Sequence, residues 1–249
     1  MTIQGKIVVI TGAASGIGRA LSVGFCRDGA RTVGLDVNQE GLAETSQECG
    51  GQFLGVAGDT SSEADVDRLV ATVMAGFGRI DVLFNNAGIS DRGVLHECPF
   101  ADWSRVIQVN LVGVALCTHR VLPIMLRQGY GRIINVVSRA AESRAAWNTA
   151  YAASKAGAVT FTKVLAGALV RDGHGGVLIN AMIPGPTRTP IWGEALSEGF
   201  MREEVVSQMQ GAEAVYPHAR FLAELPEGGP TGRVFWNSQE YPIYQHFND

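Results

Sequence analysis

The stretch Lys6-Ile7-Val8-Val9-Ile10-Thr11-Gly12-Ala13-Ala14-Ser15-Gly16-Ile17-Gly18-Arg19-Ala20 decides the fold. Ile7–Ile10 is a short β-branched run with no in/out alternation, the pattern of a strand covered on both faces. A glycine-rich turn follows, and a helical pattern opens at Ile17. Strand, turn and helix start together make an anion site, because free N–H groups and the helix dipole face a phosphate. Missing side chains at Gly12, Gly16 and Gly18 let the backbone approach it. There is no Gly-Lys-Ser/Thr, so the turn is not a Walker loop, and no Gly-x-Ser-x-Gly hydrolase elbow occurs. A tight strand–helix turn without a ligand is the alternative.

The same alternation continues down the chain. Short apolar runs predict strands at Ile7–Ile10, Arg31–Leu35, Gln52–Val56, Ile80–Phe84, Arg132–Val137, Val177–Met182 and Gly232–Phe235. Helical patterns lie between them near 17–28, 38–48, 62–76, 101–127 and 149–172. Repeated strand–helix units predict an α/β fold: a Rossmann-like, doubly wound parallel sheet of about seven strands with helices on both faces. No linker or low-complexity break interrupts it, so residues 1–249 read as one domain. Thirty-one glycines are more than such a length usually carries, and nine of them punctuate helix-to-strand connections.

Composition narrows the function classes. The chain has 249 residues, 46% hydrophobic and 18% charged, which excludes a disordered chain. The net charge of −4 with no basic block argues against nucleic acid or an anionic membrane as partner. Cys26, Cys49, Cys98 and Cys117 lie far apart, without metal-ligand spacing, and read as small hydrophobes in a reducing compartment; no metal is expected. No uninterrupted apolar run reaches the ~18 residues of a membrane span. With no signal-peptide pattern either, the expectation is a cytoplasmic protein.

Asp36 ends the second strand, 20 residues after Gly16. An acidic side chain there accepts hydrogen bonds from adenosine ribose hydroxyls and repels a 2′-phosphate, which favours NAD over NADP; a helix N-cap is the rival reading. Asp59-Thr60 ends the third strand and either meets the adenine edge or caps the next helix. Tyr151 has Lys155 four residues on, the one such pair among five tyrosines, in a chain with three lysines. Both share a helix face, and a cation beside a phenol lowers its pKa toward a working acid–base. Ser138 ends strand five, where such sheets meet ligands. Asn110 sits in the apolar context Gln108-Val109-Asn110-Leu111-Val112, either satisfying buried backbone or anchoring a water near Lys155.

Taken together, Thr11-Gly12-x-x-x-Gly16-Ile17-Gly18, Asn85-Asn86-Ala87-Gly88, Asn110, Ser138, Tyr151-x-x-x-Lys155 and Pro184-Gly185 have the order and spacing of the short-chain dehydrogenase/reductase family, which the chain resembles over roughly residues 4–190. The resemblance implies NAD(P)-dependent redox at a carbinol or carbonyl carbon. It implies Tyr151 as acid–base, Lys155 lowering its pKa and holding the nicotinamide ribose, Ser138 polarising the substrate oxygen, and Asn110 supporting a water-linked relay. Cofactor contacts are then expected from Gly12, Ser15, Gly16, Ile17, Gly18, Asp36, Asp59, Thr60, Asn86, Ala87, Gly88, Tyr151, Lys155, Pro184, Gly185, Thr187 and Thr189. Substrate contacts are expected from Ser138, Ala140, Trp147, Tyr151, Ile191 and Trp192, with residues 186–220 as a lid. The partner is a small alcohol or ketone, and helices 101–127 and 149–172 are expected to build a homodimer or homotetramer.

Three departures stand out. Arg139 follows Ser138 where the family has a small residue, with Glu142 and Arg144 close behind; they add charge beside the pocket or form a surface ion pair. The family's Asp-Gly-Gly near the C-terminus is replaced by Thr231-Gly232-Arg233-Val234-Phe235-Trp236. The segment 188–215 is long. Two other functions stay open on sequence: a redox-neutral dehydratase or epimerase, and a non-catalytic NAD-binding regulator.

Overall fold

The strand Ile7–Thr11 (β1) is buried at all five positions, as a run without alternation requires. In the computed structural model, which describes residues 2–90, 95–142, 148–196 and 206–244, it is the third strand of one eight-stranded sheet. Its neighbours are β2 (Arg31–Asp36) and β4 (Val82–Asn85), with Val9 level with Val33 on one side and Leu83 on the other. The order is β3-β2-β1-β4-β5-β6-β7-β8, where β3 is Phe53–Ala57, β5 Gly131–Val136, β6 Val177–Ile183, β7 Val234–Trp236 and β8 Gln239–Glu240. All pairings from β3 through β7 are parallel; β8 alone runs antiparallel, against β7.

All seven expected strands are present. The eighth was not expected. It exists because Asn237 and Ser238, at φ 50° and 61°, close a two-residue hairpin whose left-handed backbone matches the twist of the flanking strands.

Among the described residues the α-helices with full bounds are α1 (Gly16–Arg27), α2 (Gln39–Glu48), α3 (Glu63–Phe77), α4 (Phe100–Ile107), α5 (Gly113–Gln128), α6 (Thr149–Arg171) and α7 (Tyr216–Ala223). One sheet face packs under α1 and α7 through Val8, Ile10, Leu21, Phe25, Phe84 and Leu222. The other packs under α3, α5 and α6 through Val9, Leu69, Leu83, Val121, Ile133 and Leu169.

The expected helix 101–127 is not uniform. Gln108–Val112 form a π turn between α4 and α5, and Asn110 is in it. By length and composition Phe100–Gln128 is apolar enough to cross a bilayer, although no shorter uninterrupted run suggested it; half of its most apolar window is buried within this fold.

The chain leaves β1 toward β2 and β3, then returns to β4 on the other side. The carboxyl ends of β1 and β4 therefore flank the crevice where open α/β sheets bind ligands.

Candidate active site

Gly12 leaves β1 with φ 69°, and its N–H donates to Leu35 O at 2.7 Å. A Cβ on Gly12 would stand 2.8 Å from Ala87 Cα, and one on Gly18 would collide with the Gly12 carbonyl. These glycines are thus required by close approach of the β4 loop and by tight packing of α1. Thr11 fastens that approach: its hydroxyl accepts from the N–H groups of Asn86 and Ala87, both at 3.0 Å. Asn86 Nδ2 returns a bond to Thr11 O at 2.9 Å.

The N-termini of the first three helices differ. Asn38 caps α2 by accepting from Gly41 N, and Ser62 caps α3 by accepting from Asp65 N. Ser15, at the N-cap of α1, makes no side-chain cap bond. Helix α1 therefore presents uncapped N–H groups at Ile17 and its neighbours to the crevice, an arrangement that fits a pyrophosphate. Thr189 stands opposite: a Cβ on Gly16 would meet it at 3.1 Å.

Asp36 is not the N-cap of α2. Its two oxygens accept from Ala14 N at 3.0 Å and Asn38 N at 2.9 Å. Two backbone donors hold the carboxylate at the end of β2, half-buried, on the adenosine side of the expected cofactor path. Asp59 is more fully occupied, by Ser61 N, Ser61 Oγ and the Arg105 guanidinium. Burial works against its charge, but these partners prevail and hold the carboxyl below the usual range. Thr60 is buried beneath the π turn, against Gly113.

Tyr151 and Lys155 both lie on the buried face of α6. The Lys155 ammonium stands 5.5 Å from the Tyr151 ring centre and donates to Val136 O at 2.9 Å. Burial pulls the Lys155 pKa down to about 8. Burial also pushes the Tyr151 phenol up, and a hydrogen bond with Ser138 acts in the opposite sense. Ser138 Oγ is itself aimed by the Ala140 N–H at 3.1 Å.

Asn110 grips the backbone of Ile89, accepting from its N–H at 2.9 Å and donating to its carbonyl at 2.8 Å; it also donates to Ser154 Oγ at 3.2 Å. Gly88 fills the space between Asn110 and Lys155: a Cβ there would lie 3.4 Å from Asn110 Oδ1 and 3.5 Å from Lys155 Nζ. The structure thus brings Tyr151, Lys155, Ser138, Asn110 and Gly88 together at the carboxyl ends of β4 and β5.

Around Tyr151 the wall is apolar. Val106 and Ala150 are buried with it, and Trp103, Ala140 and Ile191 pack against them. Ala140 and Ile191 were expected there; Trp103 and Val106 were not. The available signal was the spacing of Trp103, Val106 and Asn110, which places all three on one helix face. Trp192 instead donates its indole N–H to Thr187 O at 2.9 Å, inside the turn after β6. Thr187 is buried there too, its hydroxyl on Gly185 O at 3.1 Å. The carbonyl of Pro184 is held by Gln210 Nε2 at 2.8 Å. Trp147 and part of the expected lid lie outside the described residues.

Arg139 and Glu142 face the C-terminal hairpin, and Arg144 lies outside the described residues. Arg139 stacks over the Trp236 ring at 5.1 Å, and Glu142 accepts from the Tyr241 hydroxyl and from Tyr244 N. They join the Ser138 turn to the C-terminal hairpin.

Residues 6–198 match the protein family described as short chain dehydrogenase. Among curated relatives, the hydroxy(phenyl)methylsuccinyl-CoA dehydrogenase subunit BbsD of Thauera aromatica is 35% identical over 242 residues, covering 95% of this chain and 96% of its own. Among solved structures, a 3-ketoacyl-(acyl-carrier-protein) reductase from Brucella melitensis complexed with NADH is 30% identical with a TM-score of 0.85, covering 95% of this chain and 98% of its own. An actinorhodin polyketide ketoreductase variant with NADPH is also 30% identical, with a TM-score of 0.85, covering 95% and 97%.

Proposed function

The chain belongs to the short chain dehydrogenase family, and from that premise we propose that it is an NAD-linked oxidoreductase interconverting a secondary alcohol and a ketone. The observation that carries this reading is the Tyr151 hydroxyl bonded to Ser138 with the Lys155 ammonium over the same ring.

The uncapped start of α1 and the Gly12–Gly18 turn hold the pyrophosphate, with Ser15, Ile17, Asn86 and Ala87 around it. Thr187, Thr189, Pro184 and Gly185 border the nicotinamide side, and Gly88 and Lys155 the nicotinamide ribose. Asp36 takes the adenosine ribose and, as a carboxylate, repels a 2′-phosphate, which supports NAD. When bound, the nicotinamide supplies or accepts the hydride.

The chain's own part is proton control and orientation. In alcohol oxidation Tyr151 takes the hydroxyl proton; in ketone reduction it returns one to the oxygen. Ser138 holds that oxygen. Lys155, largely cationic at neutral pH, favours the phenolate. Asn110 fixes the Gly88–Ile89 backbone and anchors a water-linked path to Lys155. Trp103, Val106, Ala140 and Ile191 pack around Tyr151 and make its surroundings apolar, which supports a substrate with an apolar or cyclic body. Val112, Val164 and Val170 are exposed on the α4–α5 and α6 layer and support assembly of copies through those helices.

A panel of secondary alcohols and ketones, run with NAD(H) and NADP(H), tests the reading. Turnover is expected with NAD(H) and lost in Tyr151→Phe. Undiminished turnover by that variant removes the mechanism, and higher efficiency with NADP(H) removes the role given to Asp36.

A further inference from the structure

We propose that residues 234–244 form a positioning strap that sets the Ser138 turn against the Tyr151–Lys155 helix, with Glu142, Tyr241 and Tyr244 as its positioning residues. The inference rests on the functional reading above and adds residues to it.

The strap touches three segments that carry candidate residues. The first is the Ser138 turn. Arg139–Glu142 make one 3₁₀ turn, tied back by Ala141 N donating to Ser138 O at 3.1 Å, so Glu142 moves with Ser138. Both Glu142 oxygens are used by the strap: one accepts from the Tyr241 hydroxyl, the other from Tyr244 N at 3.2 Å. A carboxylate held by two donors from a hairpin is a fixed point, since such charge-assisted bonds are the strong ones.

The second segment is α6. The Tyr244 hydroxyl donates to Ala156 O at 3.3 Å, one residue after Lys155. Ile243 is buried with Val137, Ala141, Ala158 and Val159, on both sides of the junction. The third is the turn after β6, where a Cβ on Gly185 would meet Trp236 Nε1 at 3.3 Å. Trp236 in turn packs edge-on to Tyr241 at 5.6 Å.

Tyr244 holds a left-handed φ of 71°, a conformation a bulky residue keeps only where surrounding contacts over-determine it. Ser138 must reach both Tyr151 and a substrate oxygen, and small misplacements of such groups are costly. The strap supplies the external brace that a four-residue turn lacks.

The test follows Tyr151 directly, without a substrate. Tyrosinate ultraviolet absorbance is titrated with saturating NAD in the parent, Glu142→Ala, Tyr241→Phe and Glu142→Gln, each against its own Tyr151→Phe counterpart. Among the described residues, Ser138 from the end of β5 and Lys155 on its own helix face Tyr151, so loosening Ser138 removes a bond that lowers the phenol pKa. The Tyr151 midpoint is expected to rise by about half a pH unit in Glu142→Ala and Tyr241→Phe. Glu142→Gln, which keeps an acceptor for Tyr241 but loses the one for Tyr244 N, should give a smaller rise than Glu142→Ala. NAD affinity should stay within about twofold. A midpoint that does not move in either folded variant overturns the strap. So does a midpoint shift accompanied by an equal loss of NAD affinity, which means collapse of the whole site. If Glu142→Ala does not fold, Tyr241→Phe, which deletes one oxygen, decides the matter. Absence of any Tyr151 signal in the parent overturns the functional reading instead.

Discussion

Both ends of the sheet place a tyrosine beside a cation, half-buried Tyr130 at one and buried Tyr151 at the other. At the amino ends, Tyr130 is sandwiched between Lys6 at 4.2 Å and Arg132 at 4.4 Å. At the carboxyl ends, Tyr151 has Lys155 at 5.5 Å. Burial raises both phenols. The difference lies in the partners. Among the described residues the Tyr130 hydroxyl has no hydrogen-bond partner, whereas that of Tyr151 meets Ser138. Lys6 is paired with Asp81, which also binds Arg79. Lys155 has no carboxylate partner among the described residues; it donates to a backbone carbonyl. Arg132, like Lys155, donates to backbone carbonyls, those of Leu225, Gly131 and Gly176, so charge compensation alone does not separate the two ends. What separates them is the hydroxyl: at Tyr151 it meets a second polar group in the crevice.

The largest expected effect breaks this symmetry outright. Tyr151→Phe should lower kcat at least ~10³-fold with dinucleotide binding retained, because acid–base transfer is lost. Tyr130→Phe should leave kcat within about twofold, and it removes a hydroxyl that is buried without a partner, so stability should hold or rise slightly. Steady-state kinetics of both variants on one validated substrate, with thermal unfolding, decide the comparison. Equal losses from the two would show that position in the sheet carries no functional information.

The next effect concerns charge rather than rate. In the folded protein burial pulls the Lys155 pKa to about 8, below the 10.5 of a free lysine side chain. The fold thus prefers the neutral lysine, and the unfolded chain binds more protons between those two values. Stability contributed by this residue is lowest below pH 8 and increases with pH up to about 10.5, by about 3 kcal/mol in all. Tyr151 acts in the opposite sense above pH 10: its raised phenol favours the folded state near neutrality, and that advantage is lost as pH passes its folded pKa. The clean window is therefore pH 8 to 10. Without cofactor, urea unfolding should show the parent gaining on Lys155→Met across that window. Parallel curves would mean that Lys155 is not held as a disfavoured buried cation.

The same contrast explains what was legible beforehand. Tyr151 and Lys155 are four residues apart on a helix, and Gly12, Gly16 and Gly18 follow a strand, so local periodicity places them. Proximity in sequence points Trp192 to the pocket without saying that its indole N–H donates to Thr187 O. Periodicity does not encode which way a side chain turns in an irregular segment. The π turn at Asn110 left no mark in an apolar run that reads as ordinary helix. Glu142 meets Tyr241 and Tyr244 across 99 and 102 residues, a pairing created by the fold and absent from any local pattern. What single-sequence spacing recovers is therefore the part of the site carried within one element or one connection.

The smallest effect sharpens the comparison through two aspartates. Asp36 at a carboxyl end and Asp81 at an amino end are both held by backbone N–H groups, Asp36 by Ala14 and Asn38, Asp81 by Ile7 at 2.9 Å. Asp81 also neutralises Arg79 and Lys6 from a fully buried position. Changing either to Asn keeps its shape and removes its charge. Asp81→Asn should cost about 2 kcal/mol of stability, since two cations lose their counter-charge, less than for a fully buried pair because both are partly solvated. It should leave the ratio of NAD to NADP affinity unchanged. Asp36→Asn should cost about 1 kcal/mol, one of its two backbone donors losing its acceptor. Its larger consequence should be a shift of the NAD to NADP affinity ratio toward NADP by about tenfold, because the charge that repels a 2′-phosphate is gone. Calorimetric titration with both dinucleotides, beside urea unfolding, separates the two columns of effects. A preference shift in Asp81→Asn, or none in Asp36→Asn, would mean that cofactor choice is set by the overall field of the protein and not by the one carboxylate at the end of β2.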